Sequence, residues 1–412
     1  MTPLGGRLKE GTHKGGTSDR GMDFLNLLLA GMGSAYGAFI PVYLTGQAWT
    51  QTHIGLVLTI STVVGMMAQV PAGLIIDAHG ARKRTLLFLA IVVMGLVPLV
   101  LAILPRNLPV LVALAAQAAV GALLTPAIAA ISLALSGPDQ LGERFGRNGR
   151  YGSIGAGLGA AIMGACGYLG SPRLAFLVAA ALTLPALLAL RSIGPDRFRT
   201  APEAAADASG GWLAPFALLR DRRLLIFAIC VALFQVASIA VLQLAAVDVT
   251  ARIGARGPLV IAAFLIIPQV VVAMISPWIG RMAALVGHRT VLLAGYATVP
   301  LRGVLFAIVA NPYAQAPVQV LEGLGGGVFG VMLPLVAQDL TRGTSHYTLC
   351  LSLLGLAGGA GTAISTALAG WTADRFGRAA AYWVLAAAGG AAFALIAAAM
   401  PETRARAKTA AS

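Results

Sequence analysis

The sequence predicts an all-α polytopic membrane protein whose twelve transmembrane helices form two pseudo-symmetric bundles of six. Three observations lead to this fold class: few charged residues, a series of long apolar segments, and a polar loop that occurs twice. The 412 residues are 58% hydrophobic and only 11% charged, whereas a soluble protein carries about a quarter of its residues as charges. A chain of this composition spends most of its length in lipid.

Twelve apolar segments have the length that a membrane-spanning helix needs, about 20 residues with a rise of 1.5 Å each. They are Phe24–Tyr43, Ile54–Ile76, Thr85–Leu104, Val110–Leu135, Tyr151–Leu169, Leu174–Leu190, Leu224–Val247, Pro258–Ile279, Thr290–Val309, Pro317–Leu340, Thr348–Trp371 and Ala379–Met400. The predicted domains follow from these segments. They are an N-terminal tail (1–22), a first bundle (23–191), a linker (192–223), a second bundle (224–400) and a C-terminal tail (401–412).

The distribution of Lys and Arg predicts the orientation, because cytoplasmic loops are enriched in these residues. With a cytoplasmic N-terminus, 22 of the 29 Lys and Arg residues fall in inside segments, six fall outside, and Arg302 lies within a span. One added or omitted helix would break this alternation. We therefore expect an integral protein of the bacterial plasma (inner) membrane with both termini in the cytoplasm.

The net charge of +14 does not require a nucleic-acid partner. Its cations lie beside helix ends, where anionic lipids attract them, and no basic patch joins an aromatic-bearing soluble module. The expected partners are the lipid bilayer, a small-molecule substrate and protons, with the protein itself a monomer. Cys166, Cys230 and Cys350 lie within apolar spans and are expected to be core residues rather than disulfide partners.

No sequence feature indicates an enzyme, a metal site or a cofactor. The five His residues lie in loops or at helix ends without the spacing of metal ligands. A phosphate-binding loop of the type GxxxxGK[ST] is also lacking in the sequence, so ATP-driven pumping by this chain is not expected.

A polar loop follows the second predicted span and is repeated after the eighth. The first copy is Gly73-Leu-Ile-Ile-Asp77-Ala-His-Gly80-Ala-Arg82-Lys83-Arg84, and the second is Gly280-Arg-Met-Ala-Ala-Leu-Val-Gly287-His-Arg289. In each copy the second Gly follows the first by seven residues, and an Arg stands two residues further on. Repetition at equivalent points of two halves indicates a duplicated membrane unit, and such units are mostly transporters.

Six plus six spans, with the pattern Gly-x3-Asp-x2-Gly-x-Arg between spans two and three, resemble the major facilitator superfamily over about residues 22–400. The resemblance implies transport by alternating access. It also implies that the gating motif is formed by Gly73, Asp77, Gly80 and Arg82, with Asp77 and Arg82 holding the cytoplasmic gate through contacts between the halves. Two simpler interpretations remain open: Asp77 caps a helix, and the basic cluster at 82–84 only fixes the topology.

The sequence departs from the best-known form of this loop motif and also from the pattern of the proton-coupled drug exporters of the superfamily. The basic residues usual after the Asp and after the second Gly are replaced by Ala78 and Ala81, and Ala284 replaces the acid of the second copy. Those exporters usually carry an Arg in span four, four residues before a Gly, where this chain has Gln117, and a Gly-Pro motif in span five, which here has no Pro. The sequence therefore indicates the superfamily without indicating this subfamily.

Arg302 and Glu322 are the two charged residues predicted to lie well inside spans, and charges in lipid are expensive and usually functional. Both lie about 8–14 Å below the outer ends of sequential, hairpin-linked helices, so an ion pair is geometrically reasonable. Two interpretations stay open. The pair is static and holds the two helices together, or it is a proton-linked site in which Glu322 alternates between an ionised, paired state and a protonated state.

Neutral polar residues on the presumptive cavity-lining spans form the candidate substrate set, although each is equally suited to hydrogen bonding between helices. They are Asn26, Tyr36, Gln69, Gln117, Gln235, Gln243 and Gln269. A mostly apolar pocket with scattered amides favours a neutral, amphipathic or modestly charged organic solute over phosphates. Asp23 and Asp248 lie near span ends, where we expect them to be solvated.

These features predict a secondary active transporter, with proton-coupled efflux by antiport preferred. Proton-symport uptake of a small organic nutrient is the alternative, and a non-transporting membrane sensor or assembly component is a third possibility. Closely spaced Gly residues, including Gly155–Gly159 and Gly355–Gly359, are expected to let helix backbones approach closely.

Overall fold

The computed structural model describes residues 11–37, 39–78, 83–137, 140–169, 172–194, 218, 220–253, 257–342, 344, 346–400 and 402. In these ranges the chain is helical without any strand, which confirms the all-α fold class. The fourteen described helices are α1 (Gly11–Gly37), α2 (Phe39–Gly46), α3 (Gln51–Ala78), α4 (Lys83–Ile103), α5 (Asn107–Ser136), α6 (Leu141–Leu169), α7 (Pro172–Ala181), α8 (Thr183–Ser192), α9 (Arg222–Ile253), α10 (Gly257–Val286), α11 (His288–Ile308), α12 (Pro312–Leu340), α13 (Tyr347–Phe376) and α14 (Arg378–Ala399).

Ten helical segments in the described ranges are long and apolar enough to cross a membrane. The other two predicted spans are helical as well. The first is divided between α1 and α2. The fifth is α6, whose first turns carry Glu143, Arg144, Arg147 and Arg150 before its apolar part begins. Each predicted span therefore corresponds to one helix or to two consecutive helices.

The sixth predicted span is broken into α7 and α8, and Pro185 supplies the physical reason. A proline has no amide hydrogen, and its ring clashes with the carbonyl four residues earlier. That carbonyl belongs to Ala181, which is the last residue of α7. The helix resumes at Thr183, so Pro185 stands in the first turn of α8, where a proline is tolerated.

The chain divides into two compact units by its internal contacts. Unit 1 contains Met1–Ala68, Ala78–Pro138 and Tyr151–Ala205. Unit 2 contains Gln69–Asp77, Asp139–Arg150 and Ala206–Ser412. The end of α3 and the start of α6 thus pack with the helices of the C-terminal half, although they precede the predicted linker. The predicted bundle boundaries remain a prediction, and most of the linker and of the C-terminal tail lies outside the described residues.

Small residues allow close helix contacts within each unit. In unit 1 a Cβ atom at Gly155 would lie 1.9 Å from the carbonyl oxygen of Leu27, and one at Gly159 would lie 2.5 Å from that of Gly31. In unit 2 a Cβ atom at Gly361 would lie 2.3 Å from the carbonyl oxygen of Ala232. The expected backbone contacts are therefore confirmed at Gly155, Gly159 and Gly361, whereas Gly355 packs against the side chain of Gln69.

The three cysteines are free, and Cys230 and Cys350 are buried while Cys166 is half-buried. Their predicted role as packing residues is confirmed for the two buried ones.

Candidate functional site

Asp77 lies at the end of α3, and its carboxylate contacts the first turn of α13. The amide of Leu349 donates to Oδ2 at 2.9 Å, the amide of Thr348 donates to Oδ1 at 3.3 Å, and the Thr348 hydroxyl also contacts Oδ1. The first amides of a helix have no acceptor within the helix, and a carboxylate there also faces the positive end of the helix dipole. Asp77 therefore caps a helix, and this helix lies in the C-terminal half of the chain.

Gly73 allows α3 and α13 to meet at backbone distance, one helical turn before Asp77. A Cβ atom at Gly73 would lie 2.8 Å from the Cα atom of Leu349 and 2.6 Å from the hydroxyl oxygen of Ser352. The Thr348 hydroxyl is 3.1 Å from the Gly73 carbonyl oxygen. Gly73 and Asp77 thus act at one contact. Gly80 and Arg82, the other two predicted members of the gating motif, lie outside the described residues.

The second copy of the loop makes its close contact with α6. A Cβ atom at Gly280 would lie 2.0 Å from the carbonyl oxygen of Gly142, and one at Gly142 would lie 2.7 Å from that of Gly280. One turn further along α6, a Cβ atom at Gly146 would lie 2.6 Å from the carbonyl oxygen of Ser276. Ala284, which stands where the acid would be, is exposed. The close approaches described for this contact are between backbones, and Ala284 contributes no carboxylate to it.

The start of α11 in the second copy is capped by Glu402, a residue of the predicted C-terminal tail. The amide of His288 donates to Oε1 of Glu402 at 2.9 Å, and the amide of Arg289 donates to Oε2 at 3.2 Å. Gly287 has φ of 92°, and a Cβ atom there would lie 2.6 Å from the Glu402 carboxylate. Glycine is required here both by the left-handed backbone and by the approach of the cap.

The two loop copies share one further contact, in which an Arg near the start of a helix donates to a carbonyl at the end of another. Arg84 on α4 donates to the carbonyl oxygen of Arg191 in α8 at 3.2 Å. Arg289 on α11 donates to the carbonyl oxygen of Ala397 in α14. Cations are stabilised at helix C-termini. The basic residues of the loop therefore make structural contacts in addition to any effect on topology.

Arg302 on α11 and Glu322 on α12 form an ion pair, as their predicted depths indicate. The Arg302 side chain is 3% exposed, whereas the Glu322 side chain is 30% exposed. Arg302 also donates to the Ser238 carbonyl oxygen on α9 at 3.3 Å, and its guanidinium lies 5.8 Å from the ring centre of Phe306. The pair thus joins a buried cation to a carboxylate whose side chain is partly exposed.

Sequence reasoning missed several buried polar groups near this pair. Gln315 and Gln319 are each 1% exposed and lie seven and three residues before Glu322 on α12. The side-chain amide oxygen of each Gln has no hydrogen-bond partner within the described part of the chain. The same holds for the hydroxyl groups of Ser238 and Tyr382. The spacing of the two Gln residues from Glu322 could have identified them, because it is the spacing of one helix face.

Asp23 and Asp248 are not solvated, and the expectation for both was wrong. Asp23 is 2% exposed and Asp248 is 4% exposed. The Asp248 carboxylate is 2.8 Å from Arg252 on its own helix and 2.8 Å from Arg378 at the start of α14. The hydropathy of neighbouring residues predicted a span end correctly, but it contained no information about cations that reach Asp248 from another helix.

The predicted substrate residues do not form one described cluster. Asn26 is buried, and its amide donates to the Met22 carbonyl oxygen within α1. Gln69 faces Gly355 on α13, and Gln235 lies against Gly358 one turn further on, so these two amides belong to the same region of unit 2. The remaining Gln residues are half-buried or exposed: Gln117, Gln243 and Gln269. Tyr36 lies in α1, and its side chain is outside the described part of the structure.

Several solved structures are similar in fold to this chain. The proton:xylose symporter XylE has a TM-score of 0.75 at 13% identity, covering 95% of this chain and 97% of its own. The Escherichia coli fucose:proton symporter FucP has a TM-score of 0.73 at 16% identity, covering 92% and 97%. The human organic anion transporter MFSD10 has a TM-score of 0.70 at 16% identity, covering 93% and 99%. At these identities the likeness concerns the fold alone.

Sequence comparison gives a closer relationship. The Major Facilitator Superfamily model matches residues 22–272. Two uncharacterized MFS-type transporters from strains of Mycobacterium tuberculosis are 31% identical over 390 residues, which is 93% of this chain and 93% of each relative. The chain therefore belongs to the Major Facilitator Superfamily, and it is an integral membrane transporter rather than an enzyme.

Proposed function

We propose that this transporter moves a small organic solute by alternating access, that Glu322 couples the movement to protons, and that the direction is efflux by antiport. The ion pair between buried Arg302 and partly exposed Glu322 carries the proposal. A purely static pair gains most when both partners are excluded from water, because each exposed partner loses Coulomb energy to screening. Here one partner is buried and the other retains 30% of its accessible surface. This asymmetry suits a carboxylate that exchanges its proton while the cation stays in place.

The proposed solute is neutral or amphipathic. The candidate amides Gln69 and Gln235 pack against the small residues Gly355 and Gly358. Amides orient a polar group without demanding a charge of either sign. Amphipathic solutes of this kind enter cells by partitioning through lipid, so export is the direction that requires coupling to a gradient. Proton symport into the cell is the second candidate, because the structural neighbours XylE and FucP are named as proton symporters.

We further propose that the Asp77 cap on α13 is a gating contact, which forms and releases in each cycle on the predicted cytoplasmic side. Its three contacts involve two main-chain amides and one hydroxyl. A capping interaction is worth about 1 kcal/mol, which is enough to bias two conformations and small enough to break in a transport cycle.

The experiment for coupling begins with a thermal-shift screen of solute classes, which identifies a ligand for the purified protein. The full chain is then reconstituted in liposomes that contain a pH-sensitive dye. Addition of the ligand on one side should move protons in the wild type. Glu322→Gln should abolish this proton movement while exchange of labelled for unlabelled ligand continues. Asp374→Asn is the matched control, since Asp374 is an exposed acid at the end of α13.

The same liposomes distinguish the candidate functions. Protons that move against the ligand indicate antiport, and protons that accompany it indicate symport. Proton movement with wild-type pH dependence in Glu322→Gln would contradict coupling through this residue. Binding without any exchange in the wild type would favour the sensor alternative.

A further inference from the structure

Arg302 keeps its charge at every accessible pH, because a guanidinium is not deprotonated in proteins. It is also buried, with 3% of its side chain exposed. Under the proposed function, on which this inference rests, Glu322 becomes neutral whenever it takes up a proton. A buried cation that loses its counter-ion needs other hydrogen-bond acceptors, since an unpaired buried charge is strongly unfavourable.

One acceptor residue is already in contact with Arg302. The carbonyl oxygen of Ser238 accepts from Nη1 at 3.3 Å. The hydroxyl group of the same residue is buried, and it has no partner among the described residues. Nε of Arg302 likewise lacks a partner within the described part of the chain. A donor and an acceptor that are both unsatisfied thus belong to two residues already in contact.

Tyr382 on α14 supplies a second acceptor next to the same cation. Its ring packs against Phe306 with 5.6 Å between ring centres, and Phe306 is the ring over which the Arg302 guanidinium lies. Gly303 follows Arg302 on α11, and a Cβ atom at Gly303 would lie 2.8 Å from the Cβ atom of Ala386. Ala386 is one turn from Tyr382 on α14. The Tyr382 hydroxyl is buried without a described partner, and Arg302 is among the charges that act on it.

Native proteins leave few buried polar atoms unpaired, and each such atom calls for an explanation. Ser238 and Tyr382 come from different helices, α9 and α14. Ser238 contacts the guanidinium through its carbonyl oxygen, and the Tyr382 ring packs against the Phe306 ring over which the guanidinium lies. We propose that these two hydroxyl groups form a second acceptor site for Arg302, which the guanidinium occupies when Glu322 is protonated. The proton then resides on the Glu322 carboxyl, and Arg302 exchanges one set of acceptors for the other without changing its charge.

The other charged groups near Tyr382 form a separate cluster. Asp248 on α9 pairs with Arg252 and with Arg378, and these three residues act on Tyr382 electrostatically. Their carboxylate and guanidinium groups are paired with each other, so they take no part in the proposed exchange of acceptors around Arg302. Glu322 is thus the group whose protonation the second acceptor site would stabilise.

The test needs no transported solute. Infrared spectra of the full-length protein in lipid nanodiscs report the carbonyl band of protonated carboxyl groups. The difference between wild type and Glu322→Gln isolates the band of Glu322, and its growth with falling pH gives a midpoint. Removing both hydroxyl groups, in Ser238→Ala/Tyr382→Phe, should make protonation of Glu322 harder. A hydrogen bond to a charged group corresponds to about a tenfold change, so the midpoint should move down by about one pH unit.

Tyr296→Phe is the matched control. Tyr296 is on the same helix as Arg302, it is 1% exposed, and its hydroxyl also lacks a described partner, but its ring packs against Phe234 instead of Phe306. This variant should titrate as the wild type does. The substitutions at Ser238, Tyr382 and Tyr296 each remove one hydroxyl group that has no described partner, so folding should be retained.

The outcomes separate the two proposals. If the Ser238→Ala/Tyr382→Phe variant has the wild-type midpoint, or shifts no more than Tyr296→Phe, the second acceptor site is overturned while proton coupling stands. If the wild type and Glu322→Gln give identical spectra at every pH, Glu322 does not titrate, and the proposed coupling fails together with this inference.

Discussion

The first and second copies of the repeated loop occupy equivalent places in the sequence, yet they hold their neighbours by different means. At the first copy, Gly73 brings α3 against α13 and Asp77 caps the helix that it meets. At the second copy, Gly280 brings α10 against α6, and Ala284 offers no carboxylate. Both copies have a glycine at which two helix backbones meet, whereas only the first copy has a carboxylate at the contact. We infer that electrostatics can regulate the first contact and that the second depends on packing.

The largest expected effect comes from disturbing the packed contact. Gly280→Leu should destabilise the protein by about 3 kcal/mol, because a side chain cannot fit where a Cβ atom would already lie 2.0 Å from a carbonyl oxygen. Thermal unfolding of the purified protein measures this change. Gly370→Leu is the control, since no atom lies within 4 Å of a Cβ atom at that position. Equal unfolding temperatures for the two variants would show that α6 and α10 are not in backbone contact.

The next effect concerns the capped contact. Asp77→Ala should raise the free energy of the α3–α13 contact by about 1–2 kcal/mol, since it removes a cap and a charge at a helix N-terminus. Hydrogen exchange at the amides of Thr348 and Leu349 should become faster, and transport of an identified ligand should slow without a change in affinity. Asp77→Asn keeps a capping oxygen, so its amide exchange and transport rates should lie between those of the wild type and Asp77→Ala. Unchanged exchange and turnover in Asp77→Ala would rule out a gating role.

A smaller effect is expected at the cap that the second copy receives from Glu402. Glu402→Gln keeps an oxygen acceptor and loses the charge, so the start of α11 should be weakened by about 0.5–1 kcal/mol. Faster amide exchange at His288 and Arg289 would report the loss, with Thr348 and Leu349 as internal controls. Equal exchange in the wild type and the variant would mean that Glu402 does not hold this helix end in solution.

The smallest effect should follow from restoring the acid to the second copy. Ala284→Asp places a carboxylate at an exposed position one turn beyond Gly280, so stability should change by less than about 0.5 kcal/mol. Combined with Asp77→Ala, it should not restore the transport rate. Recovery of turnover in the double variant would show that the two copies are interchangeable, contrary to the comparison above.

The sequence predicted the helices and the intramembrane ion pair because both depend on local information. Hydropathy located the spans, and the hairpin between α11 and α12 placed Arg302 and Glu322 at similar depth by counting residues. Pro185 could have indicated the break in the sixth span by the same local reasoning. These features require only neighbours in the chain.

The contacts of the candidate gate could not be predicted in this way. Asp77 binds main-chain amides 271 and 272 residues away, and main-chain donors leave no signature in the sequence. Glu402 reaches its helix across 114 residues for the same kind of donor. The hydroxyl groups of Ser238 and Tyr382, which lack a partner among the described residues, could not be predicted for a related reason. A Ser or Tyr in an apolar helix is compatible with many packing arrangements.

The main-chain nature of the Asp77 contact has a consequence for how this protein can vary. Two of the three groups that Asp77 contacts are amides, which every residue except proline supplies. Substitutions along the first turn of α13 can therefore accumulate without removing them, while a single change at position 77 removes all three contacts at once. Loss of the contact by mutation therefore depends mainly on position 77, whereas the sequence of the first turn of α13 can vary.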